Sequence, residues 1–523
     1  MGEGELRRTE SSTGLKLWLH TNPIFTKVYR RFCKIYYCRS GFFFVKPSEV
    51  GILLPMKIQF CGAAREVTGS AHLITLEDGF KILLDCGLYQ GSSDDMLEFN
   101  EHWYFSPSEI GCLILSHAHI DHSGRIPKLV GDGFQGDIHC THATRNLCSI
   151  MLLDSGKIQE MDVKYYNKRQ LKRGHKDRLK EPLYTIQDVE MAWNLFDGHG
   201  YNRWFRVHEN VEVLFRDAGH ILGSANVTLR IQEKGRTILF GFTGDVGRPN
   251  RPILRDPVPL PEVDYLICES TYGDRDHEAA PNELERFLKI ILHTCIEKRG
   301  KLIIPAFSVG RTQEIVYMLD QLESSGRLPS NIPVYVDSPL AVNATTVFGS
   351  HPECFDNDLN EYLLLDDDPF GFNSLTYVRN VEISKKLNYS GDPCIIISSS
   401  GMMNAGRVKH HLFHNIENAR NTFLIVGYCA PGTPGGALRD GAKQLRVFGE
   451  NKIVKAEIEV MDSFSAHADR HELADHIDNQ KNSVKKLFLV HGTLDRQEAF
   501  RILLQEKGFH GIEIPELGQE FEL

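Results

Sequence analysis

Between residues 116 and 122 the chain reads Ser116-His117-Ala118-His119-Ile120-Asp121-His122, directly after the apolar run 112–116. Three histidines and one aspartate within six positions, on a loop leaving a strand, can converge on one point. Imidazole nitrogen and carboxylate oxygen are ligands that suit zinc. His117 and His119 alternate, so an extended backbone turns both rings to one side. Asp121 and His122 come one step later, where a turn can aim them at a second ion. A set of surface histidines is the plain alternative. Four ligands cannot complete two sites, and three other positions offer partners. His220 follows Asp217-Ala218-Gly219 at the end of strand 211–217, Asp245 follows Thr243-Gly244 after strand 236–242, and His491 precedes Gly492 after strand 487–490. Each is a ligand-type residue at a strand end beside glycine, which allows close backbone approach. Singly, each reads as structural. With the 117–122 cluster they supply the ligand number of a binuclear site, and Asp245, with two carboxylate oxygens, is the natural bridge.

The rest of the chain suggests a fold that could hold such a site. Short apolar strands dominate from Met56 to about 255, at 57–60, 72–77, 81–86, 112–116, 211–217, 225–232 and 236–242, with one helical interval at 142–198. From 264 the pattern becomes strand–helix alternation. Strands are expected at 264–269, 301–306, 334–337, 394–398 and 423–428, and helices at 282–299, 310–324 and 401–416. That alternation indicates a mostly parallel sheet flanked by helices, hence an α/β fold. Strands return after 450, with helices at 469–479 and 493–507. A length of 523 residues suggests two to four structural units. No stretch approaches about 18 uninterrupted apolar residues, so no membrane partner is expected. The twelve cysteines include no C-x-x-C pair and read as reduced thiols, which points to the cytoplasm. Residues 1–55 carry nine Lys or Arg against four Glu and show no clean period, so they read as an extension outside the fold. A nucleic-acid- or membrane-binding arm is the sharper alternative. Residues 164–180 hold eight Lys or Arg against one Asp, beside Tyr165 and Tyr166. The bland reading is a solvated helical insertion; the alternative is a phosphate-contacting surface with stacking aromatics.

The order H-x-H-x-D-H, then a single His, a single Asp and a final His, resembles the metallo-β-lactamase superfamily. Glu269-Ser270-Thr271-Tyr272-Gly273, Ser463-Phe464-Ser465-Ala466-His467 and Leu489-Val490-His491-Gly492 resemble motifs A, B and C of the β-CASP nucleases. Pro305-Ala306-Phe307, Asp337-Ser338-Pro339 and Ser400-Gly401-Met402 extend the resemblance, which runs through almost all of 56–515. It is similar to bacterial RNA-degrading members and to the endonuclease subunit of the eukaryotic mRNA 3′-end cleavage factor. The resemblance implies a metallo-β-lactamase αββα sandwich with an inserted β-CASP α/β domain. The expected organisation is an extension at 1–55, sandwich at 56–262, β-CASP domain at 263–455 and the sandwich's C-terminal part at 456–523. The resemblance implies two Zn2+, with His117, His119 and His220 on one, Asp121, His122 and His491 on the other, and Asp245 between them. Asp85, in Leu84-Asp85-Cys86-Gly87, matches a carboxylate that supports the ligand loop, and Glu269 with His467 matches the acid–histidine pair beside the scissile phosphate. Histidine at motif C is typical of RNA-cleaving members, so His491 points to RNA, single-stranded, as partner. Nothing in the sequence fixes the oligomeric state, and a homodimer is left open.

The residues suggest a division of labour. Two dications can lower the pKa of a water towards neutral and attract a phosphodiester although the chain carries a net charge of −10. Asp121 can hold that water in line with phosphorus. His467, polarised by Glu269, is the candidate general acid for the leaving 3′ oxygen. Ser399, Ser400 and Gly401 are read as ending a strand and opening helix 401–416, where free N–H groups could meet an RNA phosphate; simple capping is the alternative. Arg311, at the start of helix 310–324, is a further phosphate candidate. His410, His411 and His414 are rejected as metal ligands, because a third partner is missing. The resulting expectation is a zinc-dependent ribonuclease, an endonuclease with exonuclease action left open. A DNA nuclease, a small-molecule hydrolase and a non-catalytic RNA-binding subunit are the competing readings.

Overall fold

Ile58 and Phe60 of the strand Lys57–Phe60 point inward while Lys57 and Gln59 stay half-exposed, the period of two by which a strand buries one face. Repeated along the chain, that pattern builds two seven-stranded sheets packed face to face. The computed structural model describes residues 55–90, 94–277, 282–427, 429–430, 432–461 and 465–523, and the 1–54 part of the N-terminal segment, with Ser463 and Phe464, lies outside them. In the first sheet the order is Glu520–Glu522, Lys57–Phe60, His72–Thr75, Lys81–Leu84, Cys112–Ile114, Asp137–Thr141 and Phe196–His199. In the second it is Ile512–Glu513, Lys486–Val490, Tyr265–Glu269, Arg236–Phe242, Ala225–Glu233, Val211–Asp217 and Trp204–His208. Each sheet is antiparallel on one side and parallel on the other. The two bury Ile58, Phe60, Ile82, Phe215, Val227, Phe240 and Phe488 between them. Helices cover the outer faces: Leu147 packs with Leu113 and Ile138 on one, and Phe500 and Leu473 pack with Leu266 and Leu487 on the other. This is the αββα sandwich the resemblance implied.

A third sheet follows the order Leu375–Tyr377, Val334–Val336, Cys394–Ser398, Lys301–Pro305, Thr422–Ile425 and Glu457–Val460, with every pairing parallel. Its central strands Cys394–Ser398, Lys301–Pro305 and Thr422–Ile425 are buried along their whole length, as parallel strands covered on both faces are. It lies in sequence between Tyr265–Glu269 and Lys486–Val490, which pair directly with one another in the second sheet. The strand Tyr265–Glu269 therefore pairs in the sandwich, and Glu457–Val460 pairs in the third sheet. The expected limits at 263 and 455 set each of these two strands with the other sheet. The reason is that Tyr265–Glu269 reads locally like the first strand of an alternating series, although its neighbour comes from far along the chain.

The helical interval 142–198 resolves into a 31-residue helix, His142–Lys172, a short helix, Ile186–Trp193, and the start of the strand Phe196–His199; the strand Trp204–His208 follows it. The C-terminal part of the long helix is exposed, Tyr165 at 72%. No helix among the described residues is long and apolar enough to cross a membrane.

Candidate metal centre

The ligand loop begins where Cys112–Ile114 ends, and His119 sits just before the one-turn helix Ile120–Ser123. The backbone N–H groups of His122 and Ser123 both donate to the carbonyl of His119. That tight turn carries Asp121 and His122 back towards the rings of His117 and His119. Gly87 is required beneath it, since a side chain there would meet the Asp121 carbonyl oxygen at 1.7 Å. The other ligands leave the facing sheet at strand ends: His220 after Gly219 (φ +64°), Asp245 after Gly244 (φ +55°), and His491 itself at φ +55°.

These residues converge. His119 Nδ1 lies 3.1 Å from both His117 Nε2 and His220 Nε2. Asp245 Oδ2 lies 3.5 Å from His117 Nε2, 3.6 Å from His220 Nε2 and 3.3 Å from His122 Nε2. The Nε2 atoms of His122 and His491 are 3.0 Å apart, and His491 Nε2 is 3.6 Å from Asp121 Oδ2. Asp245 Oδ1 is 3.7 Å from His491 Nδ1, buried, and accepts no hydrogen bond. Two groups of donors result, His117, His119, His220 and Asp245, and Asp121, His122 and His491. Bonds of about 2.0–2.1 Å at tetrahedral angles hold donors roughly 3.3–3.4 Å apart. The separations of 3.0 to 3.7 Å fit that spacing. An orphaned carboxylate oxygen and imidazoles facing one another nitrogen to nitrogen fit metal ligation, because each is costly without a cation between them.

Neighbouring groups orient the ligands. Asp85 is wholly buried and accepts from Ser116 N at 2.8 Å, Ser116 Oγ at 3.0 Å, Ser70 Oγ at 3.2 Å and His122 Nδ1 at 2.7 Å. A proton on His122 Nδ1 leaves Nε2 as the lone pair facing inward. Thr271 Oγ1 lies 3.0 Å from His491 Nδ1, and Ser116 Oγ lies 3.0 Å from His117 Nδ1. Burial pushes His117 and His220 well below the usual imidazole range and His119 down to about 4, so all three are neutral, as a metal ligand must be. Burial would raise the Asp245 carboxyl, but the surrounding histidines, His122 foremost, outweigh it and hold the group ionised.

Glu269 ends the strand Tyr265–Glu269, is buried, and accepts from Val246 N at 2.5 Å and Thr271 N at 3.4 Å. Its Oε2 lies 3.3 Å from His467 Nδ1, which is also 3.9 Å from Asp245 Oδ2. Burial would lower the His467 pKa, but the Glu269 carboxylate outweighs it and raises it to about 9. His467 is 21% exposed, open to a substrate while touching the ligand cluster.

The expected substrate-binding residues sit differently. The strand Cys394–Ser398 ends before Ser399, but the helix that follows is Gly406–Asn415. Ser399, Ser400 and Gly401 thus lie in a loop and not at a helix N-terminus, because the left-handed Gly406 (φ +73°) delays the helix. Ser399 Oγ joins the hydroxyls of Ser308 at 2.6 Å and Ser338 at 3.1 Å, and Gly401 faces the Phe307 ring. Arg311 is buried at the start of the helix Arg311–Ser324 and pairs with Glu314, which also meets Arg251. His411 is buried against Asp337, 2.7 Å away, and takes no part in a metal-like cluster among the described residues. Sequence reasoning missed Ser116, Thr271 and Ser70 as orienting residues. The first two sit inside motifs that were singled out, so adjacency was an available signal, whereas Ser70 had none.

Known proteins match this arrangement along most of its length. Residues 64–288 match the metallo-beta-lactamase superfamily, 312–438 the Beta-Casp domain, and 452–515 the Zn-dependent metallo-hydrolase RNA specificity domain. A ribonuclease from Thermus thermophilus is 35% identical over 455 residues, 87% of this chain and 97% of that protein. A transcription termination factor, FttA, from Methanosarcina mazei is 30% identical, over 84% of this chain and 67% of its own length. An RNase J-like protein from Methanocaldococcus jannaschii is 31% identical, over 83% of this chain and 92% of its own.

Proposed function

Because the chain belongs to the β-CASP ribonucleases of the metallo-β-lactamase superfamily, we propose that it is a zinc-dependent hydrolase of RNA phosphodiester bonds that works with two ions. The observation that carries this reading is the meeting of seven ligand side chains from two facing sheets, with donors 3.0 to 3.7 Å apart. His117, His119 and His220 would hold one ion, Asp121, His122 and His491 the other, and Asp245 both. When bound, such ions lower the pKa of water and offset negative charge on a phosphate.

The protein's own groups supply the rest. Asp121, half-buried at the edge of the cluster, can accept a hydrogen bond from the attacking water and hold it in line. His467, protonated at neutral pH through Glu269, can give its proton to the leaving 3′ oxygen. Phe307, exposed beside Gly401, and the half-buried hydroxyls of Ser308 and Ser399 offer a stacking face and hydrogen-bond partners for a single strand. The start of the helix Arg311–Ser324 reaches the sandwich, since Gly310 faces Ile221, next to the ligand His220. A reducing compartment, the cytoplasm, suits the ten described cysteines, all buried.

Matched single-stranded RNA and DNA oligonucleotides, incubated with and without chelator, test the reading. RNA cleavage that chelator abolishes supports it. Cleavage of DNA alone, or of neither, contradicts it.

A further inference from the structure

Two histidines and an aspartate outside the centre meet at the edge of the first sheet. The strands Asp137–Thr141 and Phe196–His199 run parallel there, with His139 opposite Asp197 and Thr141 opposite His199. Alternation turns Ile138 and Cys140 into the helix-covered core. It leaves His139, Asp197 and His199 on the other face, where Phe205 and Phe215 of the second sheet lie against the rings. His139 Nδ1 is 3.1 Å from His199 Nε2. Asp197 Oδ2 is 3.2 Å from His199 Nε2 and 3.7 Å from His139 Nδ1.

These separations match those among the ligands of the catalytic centre. Each ring nitrogen offers one in-plane direction, for a proton or for a lone pair. Asp197 Oδ2 could accept from both rings, but the two N–H groups would then crowd each other with their nitrogens 3.1 Å apart, whereas one cation satisfies all three contacts. The ring of His199 is fixed for the purpose, stacked on Phe205 with centroids 3.5 Å apart and planes 6° from parallel. Burial pushes both imidazoles below their usual value, which keeps a lone pair on each at neutral pH. Asp197 is 57% exposed, so a fourth position faces solvent.

We propose that His139, Asp197 and His199 bind a zinc ion, distinct from the catalytic pair, that ties the edge strand Phe196–His199 to its neighbour. The ion acts on stability and not on the cleavage step.

The test is a zinc count on the full-length protein, stripped with chelator, reloaded with zinc and exchanged into metal-free buffer. Wild type is expected to hold one zinc per chain more than His199→Ala. The same difference is expected in a His119→Ala background, so damage to the catalytic centre lowers the total without removing it. Asp197→Ala, at a solvent-facing side chain that the fold tolerates, is expected to weaken zinc binding at this site at least tenfold in competition with a chromogenic chelator. It should also lose the rise in melting temperature that zinc gives the His119→Ala protein. An unchanged count in His199→Ala, or an unchanged affinity in Asp197→Ala, overturns the proposal.

Discussion

Asp85 accepts from Ser70, from Ser116 twice and from His122, all within the buried floor of the centre. A neutral amide in its place would have to turn an N–H group towards one of those donors. Asp85→Asn is therefore expected to lower zinc affinity by about 10–100-fold, the usual cost of losing a group that orients a ligand, as measured by chelator competition. His119→Ala removes a candidate ligand outright and is expected to abolish RNA cleavage together with the metal of the 117–122 centre. His467→Ala should keep its zinc and slow turnover by about 10²–10⁴-fold, the range for a lost general acid. Loss of zinc in that variant would mean that His467 is a ligand. The candidate ligands that the fold brings together were legible in the sequence because each stands at a strand end beside glycine or in one dense cluster. Thr271 and Ser116 were not, because a hydroxyl two bonds from the backbone has many partners and only the fold selects one.

The elements that carry the ligands were read correctly where hydrophobic runs were long, as in Val211–Asp217 and Arg236–Phe242. The edge strands Phe196–His199 and Trp204–His208 were missed. Each is short, holds polar or glycine residues, and has a sheet neighbour on one side alone, so neither shows the apolar run of a central strand. The helix after Cys394–Ser398 was expected five residues early because a serine run mimics a cap. Gly406 decides the matter: at φ +73° its added side chain would meet the Ser399 carbonyl oxygen at 2.5 Å. Gly406→Ala is expected to cost about 1–3 kcal/mol, read as a lower urea midpoint, and to displace the loop holding Ser399. A midpoint equal to wild type would show that this loop relaxes freely. The basic stretch 164–180, the end of the helix His142–Lys172 and the loop after it, is mostly exposed, Tyr165 included, which fits either reading of it.

At the scale of the whole molecule, the sandwich and its insertion follow from pattern and motif, but the pairing of Tyr265–Glu269 with Lys486–Val490 spans more than two hundred residues and no local signal carries it. The same packing sets the response to acid. His476 and His72 are buried without charge, and burial pushes their pKa values down to about 4 and about 3. Unfolded, both would take a proton near 6.5. The stability that depends on their neutral forms is whole above that pH and drains as pH falls through it towards 4 and 3. The urea midpoint should therefore fall from pH 6.5 to 4, less steeply in His476→Gln, and a fall of equal steepness would assign the effect elsewhere. The convergence of distant residues on two ions is tested most directly by anomalous diffraction at the zinc edge from crystals of the zinc-loaded protein. The account predicts two peaks about 3.5–4 Å apart, one ringed by His117, His119 and His220, the other by Asp121, His122 and His491, with Asp245 between them. A map with no peak in that cavity would contradict it.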